Sequence, residues 1–343
     1  MILVSGYYGY GNLGDEAILA ALCRDLESLG VSRHEIVVPS GNPEYTKAVH
    51  GVAALGRFDL AGIWRTLASA RCLVSGGGSL LQDVTSRRSL PYYLTLVELA
   101  LLRRVPVVMY AQGLGPIQSK VYRSWTARAF RLAAACSVRD GESLCFLQEL
   151  GLPEEKVILT ADPVFAQGPS PGEELGQNRL LLNLRPYQYW PEQKQVWLEH
   201  LARWRGQGWT VEFVPVGPGD GRLGAELKAL FPELKVHPQP GLDQVTEVFQ
   251  GADLCLSMRL HGVIFSALSG CQPVGISYDP KVAAICRQLA VPHVAAAAVE
   301  ELAAVVDQAV QDREEWRGRF RQALGELQGR AELNRQLLAQ VLR

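Results

Sequence analysis

Short apolar runs alternate with stretches of helical spacing along almost the whole chain. Met1–Ser5, Ile36–Pro39, Cys72–Ser75, Val107–Tyr110, Cys136–Val138 and Val157–Thr160 have the length and composition of buried strands. Between them, Asp15–Leu29, Tyr92–Arg103, Tyr122–Ala134 and Glu142–Leu150 space their apolar residues three and four apart, which predicts helices. Such alternation predicts a parallel sheet with helices on both faces. A Gly- and Pro-rich break follows from Ala166 to Gly172 and reads as a linker. The pattern then restarts. Strands are predicted over Arg179–Leu184, Thr210–Val216, Asp253–Leu256 and Pro273–Ser277, and helices over Pro191–Arg205, Leu223–Leu230, Leu242–Phe249, His261–Leu268 and Val282–Leu289. From Val299 to Arg343 the chain is charged and amphipathic, without heptad regularity, and predicts two helices packed on the body. The expected architecture is α/β: two Rossmann-like αβα domains, residues 1–166 and 176–311, then C-terminal helices over 312–343. Two such domains facing across a cleft would line it with strand C-terminal ends, where ligands bind in these sheets.

Composition narrows the classes of function. The chain has 343 residues, enough for two domains, and is 48% hydrophobic, so a large core is available. Lys plus Arg number 34 against 35 Asp plus Glu, which speaks against a nucleic-acid footprint. No apolar span reaches membrane length, since Leu94–Leu102 is broken by Glu98, and the start lacks the features of a signal peptide. The seven cysteines are scattered and form no C-x-x-C pair, which predicts buried thiols in a reducing cytoplasm, not disulfides or zinc.

Two glycine loops follow predicted strands. Gly9-Tyr10-Gly11-Asn12-Leu13-Gly14 matches G-x-G-x-x-G in position and spacing. The second strand ends in Pro39-Ser40-Gly41, with no acid to hold a ribose, and Asp15-Glu16 would repel a pyrophosphate at the same helix start. The loop therefore suits hydroxyls, with Asn12, Asp15 and Glu16 as acceptors. The plain alternative is a turn made by glycines and capped by Asp15. In Ser75-Gly76-Gly77-Gly78-Ser79-Leu80-Leu81-Gln82-Asp83, Gly77 and Gly78 allow backbone amides to approach a ligand, and Gln82 and Asp83 can hydrogen-bond a sugar. Arg87 or Arg88 could hold a diphosphate there, or be solvated loop residues. Gln112-Gly113-Leu114-Gly115-Pro116 has the same strand-end character.

The near-neutral chain also carries a local cationic set at predicted strand ends: Arg139, Arg185, Arg259, His261 and Lys281. Arg binds carboxylate or phosphate through paired bonds, Lys acts as a point charge, and His can donate to phosphate or carry a proton. Such a set suits a small substrate bearing both anions. For Arg139 the alternative is pairing with Asp140; for Arg259, a structural carboxylate partner. His200 and His237 are expected at the surface.

Gly6–Gly9 through Gly14–Ile18, Ser75–Asp83, Ala111–Pro116, Val138–Asp140, Ala161–Phe165, Met258–His261 and Ser277–Lys281 together resemble the polysaccharide pyruvyl transferase family, in particular bacterial enzymes that ketalise secondary cell-wall polymers. The resemblance runs in order through most of the chain. It implies a GT-B-like fold, phosphoenolpyruvate as donor and N-acetylmannosamine, often in a lipid-diphosphate-linked disaccharide, as acceptor. It implies donor roles for Arg139, His261 and Lys281. A lipid-linked acceptor would bring a cytoplasmic protein to the inner face of the membrane. Gly262 departs from the family, where Ala is usual, and is expected to give the site more backbone freedom.

On this reading Lys281 and Arg139 hold the donor's anions, His261 donates to phosphate or delivers the proton, and Arg259 and Arg185 stand behind them. Asp15 serves as base or positions the acceptor hydroxyl. No cofactor and no metal are expected, because no carboxylate cluster suits a hard cation. The competing readings are a GT-B glycosyltransferase using a nucleotide sugar and a non-catalytic glycan-binding protein. An NAD-dependent enzyme ranks last, for want of the ribose acid.

Overall fold

The computed structural model describes residues 1–84, 89–167 and 178–342. Arg87 and Arg88, and most of the predicted linker, lie outside the described residues. The chain forms two compact units. The first holds Met1–Gly11, Asp15–Gln167 and the chain from Leu327 onward; the second holds Asn12–Gly14 and the described residues up to Glu326.

In the first unit the strands are β1 (Ile2–Ser5), β2 (Ile36–Ser40), β3 (Ala53–Gly56), β4 (Cys72–Ser75), β5 (Gly78–Leu81), β6 (Val107–Leu114), β7 (Ala135–Val138) and β8 (Ile158–Leu159). Its helices are α1 (Leu13–Ser28), α2 (Pro43–His50), α3 (Leu60–Leu67), α4 (Ser89–Leu102), α5 (Lys120–Leu132) and α6 (Gly141–Glu149). The sheet order is β3-β2-β1-β4-β6-β7-β8, with β5 on β6, and the pairs are parallel. Alternate strand residues enter different cores. Ile2 and Val4 pack with Leu19, Leu22 and Leu26 of α1, whereas Leu3 packs with Ile63, Leu94 and Phe130 on the other side. Both faces are buried, so these strands read in sequence as unbroken apolar runs.

Three differences from the sequence reading matter here. Between β2 and β4 the chain adds α2, β3 and α3, which are too short to show a period. Much of the second glycine stretch is not a loop: Gly78–Leu81 is a strand paired with Gln112–Leu114. Finally, β6 runs on through Leu114 because it bends at Ala111, whose φ of 45° marks a bulge held by donation of its amide to Ser137 Oγ at 2.8 Å.

The second unit has β9 (Arg179–Asn183), β10 (Thr210–Phe213), β11 (Lys235–Val236), β12 (Leu254–Ser257), β13 (Gln272–Ser277) and β14 (His293–Ala295). Its helices are α7 (Trp190–Gly206), α8 (Asp220–Leu230), α9 (Val245–Phe249), α10 (Leu260–Leu268), α11 (Pro280–Gln288) and α12 (Leu302–Gln311). The parallel order is β11-β10-β9-β12-β13-β14. The expected C-terminal helix pair is α12 and α13 (Arg313–Leu342). In the first unit, α13 is fixed by Asn334, which donates to the Ala161 carbonyl and accepts from Ser137 Oγ.

All seven cysteines are unpaired; Cys145 is exposed and the rest are buried, where desolvation pushes thiols such as Cys136 up to about 12. The surface positions expected for His200 and His237 are not found. His200 is buried against Trp197 and Trp204, with Nε2 2.9 Å from the Val299 carbonyl oxygen, and burial lowers its pKa. His237 meets the buried Glu212, which Arg179 and Lys235 also bind. Neither partnership is visible locally, because each joins residues far apart in sequence.

Asp25 on α1 accepts a 2.6 Å hydrogen bond from the Tyr110 hydroxyl, yet burial pushes its carboxyl up to about 6. The raised value means that the folded state holds this proton more tightly than the unfolded chain. The contribution is therefore present at low pH and lost as pH rises from about 4 through 6. Asp25→Asn should be more stable than the parent at pH 7.5, by about 1–3 kcal/mol, and lose that advantage below about pH 4. Urea unfolding of both proteins across this range checks it.

Candidate functional site

In the second unit, adjacent strands β9, β12 and β13 bring the predicted cations to one sheet edge. Arg185 follows β9, Arg259 and His261 follow β12, and Tyr278 and Lys281 follow β13. The edge is organised by Asp220, the first residue of α8, which is fully buried. Its Oδ2 accepts from the amides of Val216 and Gly217, at 3.1 and 2.9 Å, and from Arg259 Nε at 3.1 Å. Its Oδ1 accepts from Arg259 Nη2 at 2.6 Å. Glycine is needed at 217 because a Cβ there would lie 2.8 Å from the guanidinium carbon of Arg259. Asn183, at the end of β9, donates to the Val214 carbonyl and accepts from Ser257 Oγ at 2.9 Å. Ser257 Oγ in turn accepts the Arg259 amide, which sets the start of α10.

Arg259 is thus paired with a buried carboxylate, with its other Nη2 contact on the Pro218 carbonyl. His261 stands in the first turn of α10 and is the only residue of that helix that is not buried. Its ring lies 6.0 Å from Phe265, one turn on. Within the same unit the Leu13 amide donates to the Val216 carbonyl, and a Cβ at Gly14 would fall 2.1 Å from His261 Nδ1. Gly14 of the first glycine motif is thus required for side-chain clearance. Arg185 donates to the Tyr278 hydroxyl at 2.6 Å and stacks 4.4 Å from that ring. Lys281 is about one-third exposed in the first turn of α11, its Nζ 3.4 Å from the capping Asp279. Arg185, His261 and Lys281 thus stand at the same strand ends as the N-termini of α10 and α11.

Gly262 does not act through backbone freedom. A Cβ there would meet Ser257 Oγ at 2.2 Å and Asn183 Oδ1 at 2.8 Å, so it is a place of close packing.

In the first unit several predicted residues are already engaged. Arg139 is buried, with Nη1 on Asp162 at 2.6 Å and Nη2 on Ser79 Oγ at 3.0 Å; Asp140 instead caps α6 and stands 3.9 Å from Arg139 Nε. Glu16, expected to meet a sugar hydroxyl, is 1% exposed: one oxygen accepts the Gly9 amide and the other pairs with His50, both at 2.8 Å. Asp83 accepts the amides of Gln118 and Ser119 before α5, and Gln82 accepts that of Val84. Gln112 donates to the carbonyls of Ser75 and Gly76 and so holds the second glycine stretch. Asp15 lies beside Gly78, 3.3 Å from where a Cβ would be.

Around Asp15 the structure adds residues that sequence reading passed over. The Tyr8 ring packs on Gly6 and Gly76. Arg57 lies between 4.4 and 5.7 Å from the ring centres of Tyr7, Tyr10, Phe58, Tyr92 and Tyr93. Tyr7 and Tyr10 stack at 4.3 Å. The hydroxyls of Tyr8 and Tyr93 are buried without a hydrogen-bond partner among the described residues. Burial first, and the nearby Asp15 carboxylate next, hold the Tyr8 hydroxyl protonated well above the usual range. The signal in the sequence was tyrosine before and within the glycine motif, at 7, 8 and 10, and again at 92 and 93.

A family model described as polysaccharide pyruvyl transferase matches residues 12–280. The chain belongs to the polysaccharide pyruvyl transferase family. Its class of reaction is therefore pyruvyl transfer to polysaccharide. No curated protein matches it. Among solved structures it is similar to the Anabaena HepE protein in complex with UDP-glucose, at 13% identity and a TM-score of 0.63, covering 99% of this chain and 98% of that one. UDP-GlcNAc 2-epimerase from Neisseria meningitidis, bound to UDP-GlcNAc, matches at 13% and 0.63, covering 99% and 100%. The corresponding Listeria monocytogenes protein, a putative epimerase by its description, matches at 13% and 0.66, covering 96% and 93%. At this identity the likeness shows the fold alone, so this pyruvyl transferase has a GT-B-like α/β fold with two Rossmann-like domains.

Gly262→Ala should push Ser257 off Asn183 and cost about 1–3 kcal/mol of stability, as overpacking does. An unchanged urea midpoint would show that the strand ends yield more easily than these distances imply.

Proposed function

We propose that this pyruvyl transferase takes the pyruvyl group from phosphoenolpyruvate, places it on N-acetylmannosamine of a lipid-diphosphate-linked cell-wall precursor as a cyclic ketal, and releases phosphate. The observation that carries the donor assignment is the convergence of Arg185, His261 and Lys281 on three adjacent strand ends of the second unit. A small molecule with two anions suits a set of several cations. Lys281 is assigned to one anion, and Arg185 with Tyr278 to the other.

The methylene carbon of phosphoenolpyruvate gains a proton, which leaves an oxocarbenium-like centre at C2. One sugar hydroxyl bonds to C2 and loses its proton. The C2–O bond to phosphate breaks, and phosphate leaves with the bonding pair. A second hydroxyl then closes the ketal and releases the second proton. His261 is assigned to the phosphate or to the proton delivered to the methylene. Helix α10 buries its other residues and leaves His261 half-buried in its first turn.

The acceptor is assigned to the first unit's glycine stretches. Asp15 positions or deprotonates a hydroxyl, and Gly77 and Gly78 admit the sugar to the backbone. The buried Tyr8 and Tyr93 hydroxyls support a polar ligand there, since buried polar groups ordinarily find partners. Glu16 and Arg139, held by His50 and Asp162, act as positioning residues in this reading.

Phosphoenolpyruvate and a synthetic N-acetylmannosaminyl–N-acetylglucosamine diphosphate lipid should yield phosphate and an equal amount of product heavier by pyruvate less water. Absence of both, with a UDP-sugar alone stabilising the protein, would move the chain to the nucleotide-sugar reading. His261→Ala should lower kcat by about 10²–10⁴-fold with the fold intact. Lys281→Ala should raise the phosphoenolpyruvate requirement about ten- to a hundredfold, the scale of a lost hydrogen bond to a charged group. An unaltered donor dependence in that variant would remove Lys281 from the site.

A further inference from the structure

The first unit carries an apolar and basic surface that neither the core nor the candidate site uses. Helix α3 buries Gly62, Ile63 and Leu67, yet its outer side is also apolar: Leu60 is 52% and Trp64 39% exposed. Phe58, just before it, is 76% exposed and meets Tyr92 of α4 edge-on at 5.6 Å. At the other end of α4, Leu102 is 72% exposed, and the Arg103 guanidinium lies 3.8 Å over the Trp64 ring. These contacts tie Phe58 and Trp64 to the two ends of α4, and Leu60, one turn before Trp64, and Leu102, next to Arg103, extend them into a strip along α3 and α4. An apolar helix exterior in water is unfavourable unless something covers it.

Charge shows what covers it. Arg65, Arg103 and Arg104 border the strip, and among the described residues none has a carboxylate within ion-pair distance. Asp59, the acid just before α3, is used as the cap of that helix, accepting the Gly62 amide at 2.8 Å. The neighbouring helix α5, packed in the same core, adds Lys120, Arg123, Arg128 and Arg131. Across α3, α4 and α5 the acid is Glu98, engaged by Arg128 and Trp125; further along this face, Glu149 of α6 pairs with Arg123. On the opposite face, α1 and α2 carry Asp15, Glu16, Asp25, Glu27 and Glu44 against Arg24 and Lys47. A chain of net charge −1 thus concentrates cations beside its exposed apolar strip.

We propose that this face docks onto an anionic lipid bilayer, with Phe58, Leu60, Trp64 and Leu102 entering the interface and Arg65, Arg103 and Arg104 meeting lipid phosphates. Exposed Trp and Leu beside Arg is the composition of interfacial surfaces, and polybasic segments are drawn to anionic leaflets. No helix among the described residues is long and apolar enough to cross a membrane, so the contact is interfacial. The docking stands apart from the reaction assigned above, although a lipid-linked acceptor would give it a purpose. Phe58 adjoins the Arg57–tyrosine cluster, so the strip begins beside the assigned acceptor region.

The test is flotation of the purified protein with vesicles of phosphatidylcholine alone or mixed with phosphatidylglycerol. The parent should float with the mixed vesicles, weakly with neutral ones, and less as salt rises. The Leu60→Ser/Trp64→Ser variant and the Arg65→Gln/Arg103→Gln/Arg104→Gln variant, each checked for cooperative thermal unfolding, should lose about tenfold or more in partitioning. Both should keep phosphate release with a water-soluble acceptor, so failure of docking and failure of the reaction are read separately. No flotation of the parent, or equal flotation of the variants, overturns the proposal. A dimer in sedimentation velocity that Leu60→Ser/Trp64→Ser dissolves, without vesicle binding, overturns it by giving the face to a second copy.

Discussion

Asp220 is a carboxylate with no exposure to water, and the arrangement of the strand ends in the second unit depends on how it is satisfied. Burying a charge without partners is prohibitively costly, so the groups that neutralise it are fixed with it. Those groups are Arg259 and the amides of Val216 and Gly217, and they come from the loops after β10 and β12. Asn183 and Ser257 extend the network to β9. Arg259 is also the residue from which α10 starts, so the carboxylate sets where the first turn of that helix stands and where His261 points.

The first unit solves the same problem with different pairs. Its glycine stretches need flexible geometry locally and rigidity overall. Glu16 and His50 fix the first from beneath, through the Gly9 amide. Gln112 fixes the second, and the bulge at Ala111 turns β6 so that it reaches β5. Arg139, Asp162 and Ser79 close the adjoining strand end. In both units buried polar groups at strand C-terminal ends hold loops that glycine leaves free. A fully partnered polar network rigidifies its surroundings, which suits a site whose reacting groups must already be in place.

This division also explains what could be read from the sequence. Parallel strands buried on both faces announce themselves as apolar runs, so β1, β4, β7, β9, β12 and β13 were legible within a residue or two. The strand-end positions of His261 and Lys281 were visible because each motif lies just after such a run. Partners were not visible. Arg259 to Asp220, Arg139 to Asp162 and Glu16 to His50 span 39, 23 and 34 residues, and local pattern carries no trace of them. Short elements were lost for a related reason: α2 and α3 have 8 residues each, too few for a period to show. Strand β5 was hidden by its glycines. Gly262 was misread because a glycine that is needed for lack of space looks, in sequence, like one needed for freedom.

The central claim is that the Asp220–Arg259 pair holds these strand ends together, and a double-mutant cycle on stability tests it. Asp220→Asn and Arg259→Gln should each destabilise by about 3–5 kcal/mol, as the loss of one member of a buried pair does. The double variant should recover part of the sum, with a coupling of about 1–3 kcal/mol. Additivity within about 0.5 kcal/mol would contradict the account, because it would mean that the two side chains do not act as one unit.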